Sequence, residues 1–328
     1  MKVGVILPQG WFGEFEGWEP RRAYERILHL ARLVEKLGFE SIWTGEHVQT
    51  KWGGEQVLFD CVTLNAALAQ AIPRVGVGFI VLNSVFRNPA LTAKTAATID
   101  VISGGRLTLG LGAGFREDEF EAFGYDFPSL PIRLAILGEH LEIISRMVTS
   151  SEPPVSFTGT YARVNGAVNN PRGMQRPRIP LMIGGHGPNI TFRLAARYCD
   201  EINLDLMLED LAGALPVLAS RCEEIGRDPR TLALSAGIGP SMRWRGLRST
   251  GGQRMMEADE AAFVDPEKMK RLPSRVEALV QWRELGFQRV MAGAPGLANT
   301  DETLYELKED CELAGVEFDI PTAGSETG

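Results

Sequence analysis

The sequence is poor in the residues that build metal and disulfide sites. It holds four cysteines and four histidines in 328 residues. Cys61, Cys199, Cys222 and Cys311 stand far apart with no CxxC pair, so they read as reduced, mostly buried thiols of a cytoplasmic protein. His29, His47, His140 and His186 show no HxxxH spacing, which argues against a zinc site, and no metal is expected. No apolar run reaches the roughly 20 residues needed to span a bilayer. The opening MKVGVILPQG turns after one short apolar strand, so it reads as neither a signal peptide nor a spanning helix. Basic residues are not in excess: 34 Lys and Arg face 42 Asp and Glu, for a net charge of −8. That balance argues against nucleic acid or an anionic membrane as the main partner, while leaving room for a local basic pocket.

What is present is an ordinary globular composition, 44% hydrophobic and 23% charged, with enough apolar residues for a large core. Short apolar strands alternate with amphipathic helices. Strands are expected at 3–8, 40–44, 75–82, 106–112, 181–183, 201–204, 232–238 and 289–292. Helices are expected at 20–37, 60–71, 89–102, 131–148, 188–200, 209–225, 274–285 and 301–314. In the first helix, Ala23, Ile27, Leu30, Ala31, Val34 and Leu37 recur at helical spacing, and Gly38 stops it. Eight β-then-α units imply a parallel sheet, and eight is the count that closes a (β/α)8 barrel; an open doubly wound sheet is the runner-up. Two insertions break the alternation. Residues 151–178 contain VSFTGTYARV, read as a β-hairpin turning at Gly159 before strand five. Residues 239–272, after strand seven, read as a long loop or lid. Residues 1–317 form one domain on this reading, and the polar tail 318–328 is disordered.

The segment 179–200, IPLMIGGHGPNITFRLAARYCD, is the most informative stretch. A buried strand runs into Gly184, Gly185 and Gly187, then into a helix whose first turn Pro188 sets up. That helix buries Ile190, Leu194, Ala195 and Tyr198. Free N–H groups at such a start attract a phosphate, and close βα packing explains the same glycines without a ligand. A second glycine cluster, Gly110, Gly112 and Gly114, follows the fourth strand. Its G-x-G-x-G spacing differs from the dinucleotide G-x-G-x-x-G, and residues 115–128 do not read as opening a regular helix, so that fingerprint is rejected.

In chain order, GVILPQ, SIWTGEHV, VGVGFIVLNSVFRNPALTAKTAATIDVISGGRLTLGLGAGF, EFEAFGYDFP and IPLMIGGHGPNITFRLAARYCDEINL strongly resemble the luciferase-like superfamily of flavin and deazaflavin oxidoreductases. Within it, the chain looks most like the branch using coenzyme F420. The resemblance covers roughly residues 1–315. It implies an α/β barrel with the ligand at the C-terminal strand ends, F420 (alternatively FMN) as coenzyme, a small-molecule substrate and a homodimer. It implies His47 as proton donor or acceptor beside the coenzyme ring, with Glu46 as its catalytic neighbour orienting the imidazole or the loop. It places a supporting bulge, often with a non-prolyl cis peptide, at Ile80–Val81, and Asn83 at the ring or its polar edge. Gly110, Gly112 and Gly114 would let a flat ring lie against backbone. Gly184, Gly185 and His186 would hold the coenzyme phosphate, and Asn203 would touch the coenzyme. Lys51, Arg87 and Arg116 on the ligand-face loops would suit its phosphodiester and glutamyl tail. Some relatives carry a glutamate directly after the glycine motif. Phe115 and Arg116 stand there instead, which puts a sugar-phosphate dehydrogenase role in doubt; Glu117 and Asp118 are weak candidates for the missing acid. Three functions follow: an F420-dependent oxidoreductase, an FMN-dependent monooxygenase served by a separate reductase, and a non-catalytic flavin-binding barrel, which the intact Glu46-His47 pair disfavours.

Overall fold

Short runs of residues buried on both sides make the wall of the structure, as parallel strands covered by helices require. In the computed structural model, which describes residues 1–51, 54–149, 151–204, 206–237, 273–293 and 296–318, the wall opens with β1 (Lys2–Ile6) and β2 (Ser41–Thr44). β3 (Gly76–Phe79) and β4 (Leu82–Asn83) share one stave, followed by β5 (Leu107–Gly112). After a hairpin of β6 (Val155–Thr158) and β7 (Arg163–Ala167), the wall resumes with β8 (Leu181–Gly184), β9 (Glu201–Asn203), β10 (Ala233–Gly237) and β11 (Arg289–Gly293). All wall pairings are parallel. β1 pairs with both β2 and β11, and β3 pairs with both β2 and β5, so the sheet closes on itself. The expected (β/α)8 barrel is the observed fold. The antiparallel hairpin lies within 151–178, with Gly159 donating to the Ala162 carbonyl at its turn. The loop at 239–272 and the tail from 319 lie outside the described residues.

Local chemistry sets the helix ends. α1 (Pro20–Leu37) starts at Glu19, whose carboxylate accepts from Arg22 N, and ends at Gly38 in the left-handed region. α2 (Cys61–Ala71) is capped by Asp60 and α3 (Pro89–Ile102) by Asn88. α4 (Glu117–Ala122), α5 (Leu130–Met147), α6 (Thr191–Tyr198), α7 (Leu208–Glu223), α8 (Arg275–Glu284) and α9 (Glu302–Leu313) follow.

Three local expectations are corrected. The third strand is not continuous: it breaks into β3 and β4 around a cis peptide at Ile80–Val81, the bond singled out from the resemblance. Residues 115–128 do contain a helix, α4. Three acidic side chains occupy its first turn, where they complement the helix dipole, and Phe120 anchors it between Phe86 and Phe127. The helix after the 184–187 glycines starts at Thr191, three residues beyond Pro188. It buries Thr191, Phe192, Ala195 and Ala196, while Ile190 is 40% exposed and Leu194 and Tyr198 are only half-buried. The ring of Phe192 decides which face turns inward.

Inside the barrel, Trp43, Met182 and Met291 pack together with Ile6, Ile80 and Val81. The N-terminal end is closed by charge. Arg289, first in β11, donates through Nε and Nη2 to Glu40 and through Nη1 to Glu201, the first residue of β9. Burial disfavours the Glu40 and Arg289 ions, but Arg289 holds the Glu40 carboxyl below its ordinary range. The C-terminal strand ends lie opposite. There the wall is tight: a Cβ on Gly110 would lie 2.0 Å from the Phe79 carbonyl oxygen and 2.6 Å from Met182 Cε. Gly110→Ala is expected to destabilise the fold by about 3 kcal/mol, the upper end for overpacking. Urea denaturation checks this, and a loss below about 1 kcal/mol would show that the wall can spread there.

Candidate active site

The site is built on the loop that leaves β2. Gln9, after β1, positions it: its Oε1 accepts from Gly45 N at 2.7 Å, and its own carbonyl accepts from Phe59 N at 3.1 Å. Gly45 has no room for a Cβ, which would lie 2.9 Å from the Ile80 carbonyl oxygen. Glu46 then turns toward the neighbouring stave. Its N–H donates to Val81 O, its Oε2 accepts from Asn83 N at 2.6 Å, and its Oε1 accepts from Arg87 Nε at 2.7 Å and from Arg87 Nη2. Burial pushes the Glu46 carboxyl above its ordinary range, and Arg87 and Asn83 offset part of that. The carboxylate is thus engaged with the end of the third stave: of the two expected duties, orienting the imidazole or the loop, its bonds are to the loop's surroundings and not to the imidazole.

Another carboxylate meets His47. Glu119 of α4, only 3% exposed, accepts from His47 Nδ1 at 2.9 Å through Oε1, with Oε2 at 3.2 Å. The same Oε1 also takes Val48 N–H at 3.3 Å. A carboxylate that accepts from a backbone N–H is placed to accept from Nδ1 as well, which puts the ring proton on Nδ1 and leaves the Nε2 lone pair open. No described residue hydrogen-bonds Nε2. The ring stacks on Trp11, with centroids 3.6 Å apart and planes 3° from parallel, and meets Phe115 edge-on at 5.9 Å. Burial pushes the His47 pKa below its ordinary 6.5, and Glu119 opposes that without reversing it. The imidazole is therefore neutral near pH 7.

Glu119 was missed in the sequence because three carboxylates follow one another in FREDEF, and only helix phase selects the inward one. Glu117 and Asp118 point out, while Glu119 and Phe120 are buried. The available signal was the buried aromatic directly after the third acid. Asp118 instead pairs with Arg116 and accepts from Gln49.

The remaining candidates form an arc over neighbouring strand ends. Val81 fills the side-chain directions of Gly112 and Gly184, where a Cβ would meet its methyls at 2.6 and 3.1 Å. Gly114 has a φ of +71°, and a Cβ there would lie 2.5 Å from Asn83 Nδ2. Asn83 Oδ1 in turn accepts from Val85 N. The side-chain space of these glycines and of Gly110 is thus taken by protein atoms. Gly184 is the register partner of Asn203, whose Nδ2 donates to Ser235 Oγ at 3.2 Å above Met291 Sδ. Ile80 Cδ1 closes the arc, 3.8 Å from where a Gly237 Cβ would sit. Gly185 spends its N–H on the Asn203 carbonyl. The N–H groups of His186, Gly187, Asn189 and Ile190 donate to no described residue, and His186 is exposed.

The neutral imidazole has a direct consequence in a ring-proton NMR titration. His47 should titrate below 6.5. Glu119→Gln removes the charge that favours the imidazolium, so its midpoint should fall further. A midpoint above 6.5, or an upward shift in the variant, would contradict this electrostatic account.

Comparison with known proteins matches this geometry to a family. The model of the luciferase-like monooxygenases matches residues 1–245. A 4-hydroxyprotoasukamycin monooxygenase from Streptomyces nodosus subsp. asukaensis is 29% identical over 186 residues, 56% of this chain and 47% of that protein, so the match spans under half of that relative. An F420-dependent glucose-6-phosphate dehydrogenase from Intrasporangium calvum is 26% identical over 326 residues, 89% of this chain and 94% of its own. Among solved structures, an F420-dependent secondary alcohol dehydrogenase bound to an F420-acetone adduct superposes with a TM-score of 0.74 at 21% identity, covering 95% of this chain and 98% of that one. At that identity the likeness speaks for the fold alone. The chain belongs to the luciferase-like monooxygenase family, and it is an oxidoreductase of that family.

Proposed function

We propose that the protein is a coenzyme F420-dependent oxidoreductase that moves hydride between the deazaflavin and a small organic substrate, with His47 handling the accompanying proton. One observation carries this reading: a neutral imidazole with Nδ1 held by a buried carboxylate and Nε2 hydrogen-bonded by no described residue, at the C-terminal ends of the strands. The relatives that match along most of the chain are named for F420 chemistry, which supports the coenzyme.

The strand ends fit such a coenzyme. The N–H groups of His186, Gly187, Asn189 and Ile190, which donate to no described residue, precede α6 and suit a phosphodiester. Ile80, Val81, Asn83 and Asn203 form the polar and apolar backing at the barrel mouth on which a flat ring would rest. When bound, F420 supplies the hydride acceptor or donor. His47 Nε2 accepts a proton from substrate oxygen in one direction and returns it in the other. Glu119 stabilises the imidazolium formed in between and keeps the ring in one orientation. Glu46 and Arg87 hold the adjoining strand end in place and take no proton. Trp11 covers one face of the imidazole and excludes water from it.

A second reading, an FMN-dependent monooxygenase, is favoured by the Streptomyces nodosus relative. Equilibrium binding separates the two. F420 should bind at micromolar concentration or tighter, with FMN much weaker; the reverse order would favour the monooxygenase. His47→Ala should slow turnover by about 10²–10⁴-fold while leaving coenzyme affinity intact. Glu119→Gln should move the acidic limb of the rate profile to lower pH, because the base then stays neutral further into acid. An unchanged rate in His47→Ala would remove His47 from the mechanism.

A further inference from the structure

A gap lies outside the barrel wall, between the third stave, β5 and the helices that cover them. Side chains alternate along these strands. The side-chain directions of Gly78 and Gly110 meet Trp43 and Met182 inside the barrel, while Phe79 and Leu109 turn outward. There α3 faces them with the short side chains of Thr95 and Ala96, and α2 with Val62, which do not fill the space. The result is a cavity of about 180 Å³ with a mostly apolar lining, completed by Leu82 of β4 and by Phe86 in the turn after it. Leu91 also lines it and is 63% exposed, so the cavity is reached from solvent. The charged lining residue, Arg87, is paired with Glu46 and lies 3.5 Å from Asp60. A charged guest would therefore be buried without a free counter-ion.

We propose that this cavity is a second binding site, for a small neutral aromatic molecule, and that its occupancy is transmitted to His47. The site is separate from the coenzyme reading and does not depend on it. Volume sets the class of guest. An apolar protein cavity of about 150 Å³ holds benzene, so this one takes a single ring with a short apolar substituent. Two contacts lead from the cavity to the candidate active site. Phe86 packs on Phe120 with ring centroids 4.6 Å apart, and Phe120 anchors α4, whose Glu119 holds His47 Nδ1. Leu82 stands between Val81 and Asn83, which back the glycines of the strand ends. Packing this dense passes small displacements on, so a guest against Phe86 or Leu82 shifts the groups around the imidazole.

Isothermal titration of the full chain with toluene tests this, with benzoate as the charged counterpart. Toluene should bind with a Kd of about 0.1–1 mM, and benzoate at least about tenfold more weakly. Ala96→Leu fills the cavity from α3 and should abolish toluene binding. Val62→Phe fills it from α2 and serves if the first variant does not fold. In the unaltered protein, toluene should shift the His47 ring-proton resonances with the same midpoint as the titration; in the filled variants it should not. His47→Ala should keep toluene binding, because the cavity lies across the wall from the imidazole. Absence of saturable toluene binding overturns the proposal, and a side chain from a second copy seated in the cavity would give that result. Binding that survives both fillings, or that is lost in His47→Ala, places the probe elsewhere and overturns it too. His47 resonances that stay still at saturating toluene overturn the transmission.

Discussion

The carboxylate of Glu46 joins the ends of two staves, and the C-terminal strand ends are arranged around that joint. Oε2 takes the Asn83 N–H and Oε1 takes Arg87, which also lies 3.5 Å from Asp60 at the start of α2. With β4 pinned in this way, Val81 drops into the space over Gly112 and Gly184, and Asn83 lies against Gly114. A longer residue at any of these glycines would meet atoms that cannot retreat, because the joint is buried and charged. Removing Glu46 would leave the buried Asn83 N–H without this acceptor and Arg87 with the more distant, more exposed Asp60, so this acid has a structural duty.

Two effects oppose each other at His47. Desolvation favours the neutral ring, Glu119 favours the charged one, and desolvation wins in the resting protein. The imidazole is then a proton acceptor at neutral pH whose charged form is already provided for. Both conditions depend on α4, a helix of one and a half turns held by Phe120 against Phe86 and Phe127. An aromatic anchor thus positions a carboxylate that in turn positions the imidazole.

The parts legible in the sequence were those with local causes. Pro20, Gly38, Asp60, Asn88 and Pro89 mark helix ends through dihedral and capping rules that need no partner, and α1 and α3 run over the spans expected from them. Eight strand-helix repeats set the barrel, because parallel strands need crossovers and eight staves close. The chain order of motifs also placed His47, Asn83 and the glycines at strand ends. Helix 191–198 was read three residues too early because Pro188 signals a start that the burial of Phe192 overrides.

Sequence alone therefore determined the architecture, through periodicity, and the family, through the order of its motifs, since both are properties of the chain itself. Tertiary structure decided which acid serves His47, because Glu46 and Glu119 are 73 residues apart and only packing turns one away and the other inward. It decided that Val81 and Asn83 occupy the side-chain space over the glycines of β5 and β8. It also gathered Trp11, Lys51 and Arg116 around one indole from three separate loops. Those contacts are long-range, and their energies depend on burial, a quantity that exists only once the barrel has closed.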